Sequence, residues 1–291
     1  MSTSADRAAD GTADGTTDGA APNVPAATTG GFSQSLERGL LILSAFTEHR
    51  PVLGIADLAR AAGLTKSTAH RYVATLAKLG YVLQDPDTRK YSLGPRVIDL
   101  GFAALNSMEI TRIAAQPLQA LSDETGYPAS MAVLDGPDVV YVDRRRSRRA
   151  TGFPMDITLH VGSRLPAYCT SMGKVLLADK DPERLAALLD RSDLARRGPK
   201  TITGREQLLG VLDRVRVSGI AVNDEELAPG LRSVAAPVRD RSGAVVAAVN
   251  LAVHLTTWNA PVETVVVRLE GPLRATANEI SARLGWRPEH R

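Results

Sequence analysis

The sequence predicts an α+β protein: an N-terminal winged helix-turn-helix, a linker helix, and a larger C-terminal domain with an antiparallel-rich sheet. Three observations carry this expectation. Residues 55–72 place small and apolar side chains at helical spacing around a glycine, the pattern of two helices that cross closely. Two pairs of apolar runs, 129–134 with 139–143 and 234–239 with 245–253, are each closed by a tight turn, and strands joined that way are antiparallel. The chain has 291 residues, 44% of them hydrophobic and 23% charged, which suits two domains able to bury real cores. Aromatics make up only 4%, so those cores must rest on Leu, Val, Ile and Ala.

The elements follow in chain order. Residues 1–31 are mostly Ala, Thr, Asp, Gly and Pro; they cannot bury enough surface to offset chain entropy and are expected to be a disordered tail. From Phe32 the pattern turns helical, with Leu36, Leu40 and Leu43 on one face and Pro51 ending the element. Ile55–Ala62 and a helix from Lys66 to Leu79 flank a turn at Gly63-Leu64. Tyr81-Val82 and Tyr91-Ser92-Leu93 then flank a Pro/Asp turn and predict a small hairpin. The winged domain is thus expected over 32–95. Pro95 suits a first helical turn, and Val97, Leu100, Ala104 and Leu105 continue at helical spacing, giving a linker helix over 96–109. The second domain, 110–291, opens with a helix over 110–125, then strands 129–134 and 139–143 about Asp135-Gly136-Pro137-Asp138. Helices near 170–178, 181–190 and 204–218, a short strand over 219–222, the 234–239/245–253 hairpin and a last helix over 262–284 complete it.

The helix pair has the packing chemistry of a helix-turn-helix. Ala59 is small where the helices approach, and Gly63 can take a positive φ at the turn without a Cβ penalty. Leu58, Ala62, Leu64, Ala69 and Tyr72 supply the contacts between the helices, and Thr65 suits the N-cap of the second. On that second helix Ala69, Val73, Leu76 and Leu79 form the inward face, while Ser67, Arg71, Thr75 and Lys78 share another. Short polar residues at a helix start with an arginine behind them suit entry into a major groove. The residues expected to meet DNA are therefore Thr65, Lys66, Ser67, Thr68, His70, Arg71 and Thr75, with Arg89 and Lys90 of the hairpin reaching phosphate as a wing. An amphipathic helical hairpin of another fold would have the same spacing. The wing and the local charge together favour the helix-turn-helix: residues 60–96 hold seven bases and two acids, as a phosphate-contacting surface needs, although solvated faces of this charge are common.

Other function classes are disfavoured. The only cysteine, Cys169, excludes an intrachain disulfide or a multi-cysteine zinc site. No apolar run approaches the roughly 18–20 residues that span a bilayer, and no basic, then apolar, leader opens the chain; a cytoplasmic location with no membrane partner is expected. Gly173-Lys174 lacks the upstream glycines of a phosphate loop. The five histidines show no metal-ligand spacing, and Cys169 has no adjacent base. Asp224-Glu225-Glu226 cannot share one face. No catalytic residue, cofactor or metal is expected.

At this point a family resemblance is visible. Ser35-Leu36-Glu37-Arg38-Gly39-Leu40, Gly63-Leu64-Thr65-Lys66-Ser67-Thr68-Ala69-His70-Arg71, Gly80-Tyr81-Val82 and Tyr91-Ser92-Leu93-Gly94 resemble the winged helix-turn-helix of IclR-family transcriptional regulators. Residues 166–174 and 223–238 look like the two signature stretches of that family's effector domain, and the resemblance spans about 32–286. Pro166-Ala167-Tyr168 and Ala247-Ala248-Val249-Asn250 look most like regulators of aromatic-acid catabolism by the β-ketoadipate route.

The resemblance implies a GAF-like effector domain whose antiparallel sheet closes over a small molecule. Carried over position by position, it implies that Phe153, Ser171, Met172, Asn223, Ser233, Asn250 and Ala252 line the cavity, and Arg144 matches the family's strand-end arginine. Ser171-Met172-Gly173 opens an expected helix, where free N–H groups favour an anion. Ser233 and Asn250 offer neutral polar groups among apolar strand residues; each, taken singly, reads first as a residue bonding along its own strand. In the run Arg144-Arg145-Arg146-Ser147-Arg148-Arg149, Arg144 is the candidate carboxylate partner and the other four arginines are expected in solvent. The implied partners are double-stranded operator DNA, a small aromatic or dicarboxylic acid effector, and further copies of the chain as a dimer or a dimer of dimers. The competing class is a small-molecule-binding enzyme with an accessory winged domain. Repression or activation, the effector's identity and the oligomer size stay open.

Overall fold

The computed structural model describes residues 32–148 and 159–287. The expected tail at 1–31 and Phe153 both lie outside them. The chain forms two compact units divided between Val97 and Ile98.

The first unit contains α1 (Gln34–Ser44), α2 (Ile55–Ala61), α3 (Lys66–Lys78), and the antiparallel strands β1 (Val82–Gln84) and β2 (Tyr91–Leu93). Its core is Ile42, Phe46, Leu53, Leu58, Ala62, Val73, Val82 and Tyr91. Helix α1 stops at Ser44, not at Pro51, because a turn over 45–50 intervenes and turns Phe46 inward. Its inward residue is Ile42, whereas Leu36 and Leu40 are 64% and 54% exposed. Ala69 and Val73 anchor α3, but Leu79 lies outside the helix as its C-cap and is largely exposed. Gly63 takes φ 62° between α2 and α3, where a side chain would be strained. Leu53 exchanges two backbone hydrogen bonds with Tyr91, at 2.9 and 2.8 Å, and so ties the α1–α2 connection to the hairpin.

Helix α4 (Arg96–Ser107) spans the division and buries no residue. The second unit continues with α5 (Glu109–Thr125), β3 (Ala129–Asp135), β4 (Asp138–Arg145), β5 (Arg164–Pro166), a 3-10 turn (Ala167–Cys169), α6 (Ser171–Ala178), α7 (Pro182–Asp190) and α8 (Arg205–Ser218). It ends with β6 (Ala221–Asp224), β7 (Leu231–Arg239), β8 (Val245–His254) and α9 (Val262–Arg283). The six strands form one antiparallel sheet in the order β5-β4-β3-β8-β7-β6. α5 and α9 cover one face with a core including Leu118, Val249, Leu269 and Ile280. α6, α7 and α8 belong to the other, with Leu176, Leu188, Leu208 and Leu212. Both faces are covered, so strands such as Val245–His254 are apolar almost throughout.

Three details differ from the sequence expectation. β6 begins at Ala221 and not Gly219, because Gly219 takes φ 68° as the C-cap of α8. β7 starts at Leu231, earlier than Val234, and β5 with its 3-10 turn was not expected. The strand sequence Arg164-Leu165-Pro166 is too short for periodicity to register. No helix among the described residues is long and apolar enough to cross a membrane.

Candidate functional site

Two places gather the residues singled out by sequence. On the first unit, α3 presents Lys66, Ser67, His70, Arg71 and Thr75 to solvent, with Thr65 exposed just before it and Thr68 half-buried. Thr65 is the N-cap: its Oγ1 accepts from Thr68 N at 3.3 Å and shares hydrogen bonds with the hydroxyls of Ser67 and Thr68. Thr75 Oγ1 donates to Arg71 O at 3.0 Å, which leaves Lys66, Ser67, His70 and Arg71 as the outward side chains of the first turns. A surface groove beside this face is lined by Ser35 and Arg38 of α1 with Thr68, Arg71, Tyr72 and Thr75. Arg38 thereby joins Arg71, a neighbour that helical spacing within α3 could not reveal.

The hairpin loop is held from within. Asp85 Oδ1 accepts from Asp87 N, Thr88 N and Thr88 Oγ1 at 3.1, 2.7 and 2.9 Å. Those bonds, led by the Thr88 backbone N–H, hold the Asp85 carboxyl below its usual range. Arg89 follows in a left-handed conformation, φ 57°, and both Arg89 and Lys90 are exposed. The acid is turned into the loop and the bases outward.

The second place is a small cavity in the larger unit, on the sheet face of α6, with about 20 Å³ of room for a water-sized molecule. Polar groups lining it are Tyr141, Arg144, Thr170, Asn223, Ser233 and Asn250; Leu159, Leu227, Leu231 and Ala252 supply the apolar remainder. Register explains the arrangement. Ser130 pairs with Arg144 on one side and Asn250 on the other, so the three form a row across β4, β3 and β8 on one face. Asn223, Ser233 and Ala252 form a second row across β6, β7 and β8. Tyr141 and Arg144 are three residues apart, a spacing that puts regular strand residues on opposite faces. A bulge opposite Met131/Ala132, with Val142 the extra residue, brings both onto the cavity face.

Each polar side chain has a distinct state. Ser171 and Ser233 share a hydrogen bond of 2.7 Å between their hydroxyls, both buried. Asn223 Nδ2 donates to Cys169 O at 3.2 Å and its Oδ1 accepts from Glu226 N at 2.9 Å, so its amide locks the loop after β6 onto the 3-10 turn. Asn250 is 5% exposed and its Oδ1 has no hydrogen-bond partner. Arg144 Nη1 donates to Ser130 Oγ at 3.1 Å, while its Nε has none. Burial holds the Arg144 guanidinium below its usual pKa. Burial likewise pushes the Tyr141 phenol up to about 12. Met172 is fully buried in the helix-side core and does not line the cavity.

Beneath the cavity Lys174 is buried against Glu226, with Nζ also donating to Val222 O at 2.9 Å. Desolvation pulls the Lys174 pKa down and the Glu226 pKa up. The neighbouring acids are ion-paired, Asp224 with Lys200 and Arg232 at 2.7 and 2.5 Å. Burial pushes the Cys169 thiol up to about 11, the opposite of what a nucleophile requires. No cluster of three metal-ligating side chains occurs among the described residues. In the arginine run, Arg145 is not free in solvent but pairs with Asp143 at 2.8 Å, because the two end a strand side by side. Arg148 lies 3.6 Å from Asp123, and Arg146 is exposed.

Family models match both units. The IclR helix-turn-helix domain matches residues 35–86, and the C-terminal domain of IclR bacterial transcriptional regulators matches 102–282. The chain belongs to the IclR family. It is 41% identical over 225 residues to the Pca regulon regulatory protein of Pseudomonas putida, covering 77% of this chain and 75% of that protein. It is 33% identical over 257 residues to the p-hydroxybenzoate hydroxylase transcriptional activator of Acinetobacter baylyi, covering 87% and 92%. An IclR homologue from Microbacterium hydrocarbonoxydans, solved with 4-hydroxybenzoate, matches with TM-score 0.71 at 27% identity, over 86% of this chain and 98% of that one. The chain is therefore an IclR-type transcriptional regulator with a DNA-binding helix-turn-helix and the family's C-terminal domain, and the relatives named here are regulators and not enzymes.

Within this IclR-family regulator the cavity includes residues that sequence reading did not single out. Tyr141, Thr170 and Leu231 line it, and Ser130 holds Arg144 from below. Thr170 had a legible signal, since a threonine just before an apolar helix is a capping residue. Tyr141 and Ser130 had none, because their facing depends on the bulge and on strand register.

Proposed function

We propose that this regulator controls aromatic-acid catabolism on the β-ketoadipate route and that a small organic acid is its effector. Domain limits of 32–95 for the winged domain, 96–109 for the linker helix and 110–291 for the effector domain go with this reading. Thr65, Lys66, Ser67, Thr68, His70, Arg71 and Thr75 meet the operator, Arg89 and Lys90 its phosphates. The exposure of the first turns of α3 and of the wing bases supports this assignment. The effector occupies the cavity beside α6, against Arg144, Ser233, Asn250 and Ala252, with Ser171 and Asn223 supporting it.

The observation that carries the effector reading is the buried Oδ1 of Asn250, an acceptor with no hydrogen-bond partner, in a cavity of mixed polar and apolar lining. Buried polar groups without a protein partner are uncommon and costly, and a ligand supplies what the fold leaves out. The names of the relatives point the same way: one activates a p-hydroxybenzoate hydroxylase gene and another structure holds 4-hydroxybenzoate. The test is operator binding by fluorescence anisotropy, using duplex from upstream of the gene, with and without 4-hydroxybenzoate and protocatechuate. The expected result is specific binding over random duplex and a shift of operator affinity by one of the acids. Equal binding to random DNA removes the operator reading; operator binding indifferent to both acids removes the aromatic effector.

A further inference from the structure

The groove between α1 and α3 holds positive charge that its own walls do not balance. Ser35, Arg38, Thr68, Arg71, Tyr72 and Thr75 line it, two bases and no acid, around about 310 Å³ of room. Among the described residues of this unit Asp57 pairs with Arg50 and Arg60, at 3.9 and 3.1 Å, while neither Arg38 nor Arg71 has an ion pair. The Tyr72 phenol beside them is held below its usual pKa, first by its hydrogen bond with Ser35 and then by Arg38 and the charge of Arg71. Lys66 adds an exposed amine at the start of α3.

The chain enters α1 at the rim of this groove. Ser33 is the N-cap of the helix, and Ser35, two residues on, is one of the lining side chains. The sequence that precedes this point has the opposite sign. Residues 1–31 carry Asp6, Asp10, Asp14 and Asp18, one at every fourth position, against Arg7 alone. Residues 19–31 are without charge, and a connection of that length reaches at most about 45 Å. Acidic residues tethered so close to a groove meet it at a local concentration of about 1 mM.

We propose that residues 1–18 are an internal competitor for DNA: without DNA their aspartates sit against Arg38, Lys66 and Arg71, and a phosphate backbone displaces them. The inference rests on the reading that α3 meets the operator, and adds what covers that face when no operator is bound. Aspartates and phosphates call on the same cations, so the two occupy the face in turn. A contact with a Kd on the order of 0.1–0.3 mM, set against about 1 mM of local acid, lowers DNA affinity about 4- to 10-fold. Operator and random duplex lose the same factor, because each must clear the same face, and the ratio between them is unchanged.

The test has two arms, both on the full chain. In the first, a zero-length carbodiimide joins carboxylates to amines in the unmodified protein without DNA. Mass spectrometry should find Lys66 joined to Asp10, Asp14 or Asp18, and added duplex should remove the link. Links from Lys66 only to acids outside residues 1–31, or no links at all, overturn the proposal. In the second arm Asp6→Ser, Asp10→Ser, Asp14→Ser and Asp18→Ser are combined, and anisotropy is read with duplex from upstream of the gene and with random duplex. Both affinities should rise by the same factor, about 4- to 10-fold at low salt, and the gain should shrink as salt screens the acids. Unchanged affinity for both duplexes, or a gain confined to one, overturns the competition even where the link forms. If neither protein binds any duplex, the reading of α3 itself fails and the proposal falls with it.

Discussion

Lys174 and Glu226 show what one buried pair demands of its surroundings. The lysine is 1% exposed and the glutamate 6%, so each charge depends on the other. Lys174→Met keeps the volume and leaves Glu226 as an uncompensated buried carboxylate, which costs about 3–5 kcal/mol. The pH dependence follows from Glu226, whose pKa is already raised by burial and rises further without its counter-ion. A carboxyl whose folded pKa exceeds its unfolded one contributes stability below the unfolded value and loses it as pH rises through the folded value. The deficit of Lys174→Met against the unmodified protein should therefore narrow from pH 8 towards pH 5 in urea titrations; a deficit constant across that range would show that Glu226 is not the group responsible. Gly173 is the second residue-scale case. A Cβ there would lie 2.1 Å from Ala167 O and 2.4 Å from its Cα, and backbone cannot step aside as a flexible side chain can. Gly173→Ala should cost about 1–3 kcal/mol by overpacking, read as a lowered urea midpoint. Stability equal to that of the unmodified protein would mean the turn and the helix can separate freely.

At the scale of elements, the proposed DNA contacts fall on two elements, α3 and the β1–β2 hairpin. Arg71 lies on the exposed face near the start of α3, and Arg89 at the hairpin loop. An arginine paired with a base edge supplies about 1–3 kcal/mol of discrimination, so Arg71→Ala should weaken specific operator binding and spare random duplex. Arg89→Ala should weaken both alike and lower the dependence of log affinity on log salt by about one unit. Anisotropy titrations at several salt concentrations separate the two, and equal losses on both duplexes for Arg71→Ala would place it on phosphate instead. The helix-turn-helix was legible because its signals are local: Thr65 as a cap, Gly63 at a turn, Ala59 and Leu58 buried at a close approach. The end of α1 was not, since Pro51 marks where a helix must have stopped and Phe46 decides where it does. Leu36 and Leu40 share an apolar stripe by spacing, yet they lie outside the unit's core. A stripe states that a face is apolar, not what covers it.

On the scale of the whole molecule, exposed apolar surface is the feature that calls for a partner. Helix α4 buries nothing, and its Ile98, Leu100 and Phe102 are 58%, 56% and 60% exposed. Ile98 and Phe102 lie one turn apart on the same side of the helix, with Leu100 on another, and exposed apolar side chains so placed suit the self-association that the family resemblance leads one to expect. Phe102→Glu should shift the sedimentation coefficient towards the monomer at micromolar concentration. An unchanged distribution, with Ile98→Glu equally silent, would assign this helix face to another role.

Periodicity, caps and turn residues are properties of neighbours along the chain, and so the order of helices and hairpins and the winged domain could be read from the sequence. The polar composition of the second domain's cavity could be read only as a set of positions, through resemblance. Which of them are free was a tertiary matter. Asn223 is engaged at both ends of its amide, Ser171 is paired with Ser233, and Met172 belongs to the core. Ser130 faces Arg144 because β3 pairs with β4 in one register, and Tyr141 faces the cavity because one extra residue, Val142, bends that strand. Strand register and bulges join residues distant in sequence through backbone hydrogen bonds that every residue type can make, so no side-chain pattern announces them.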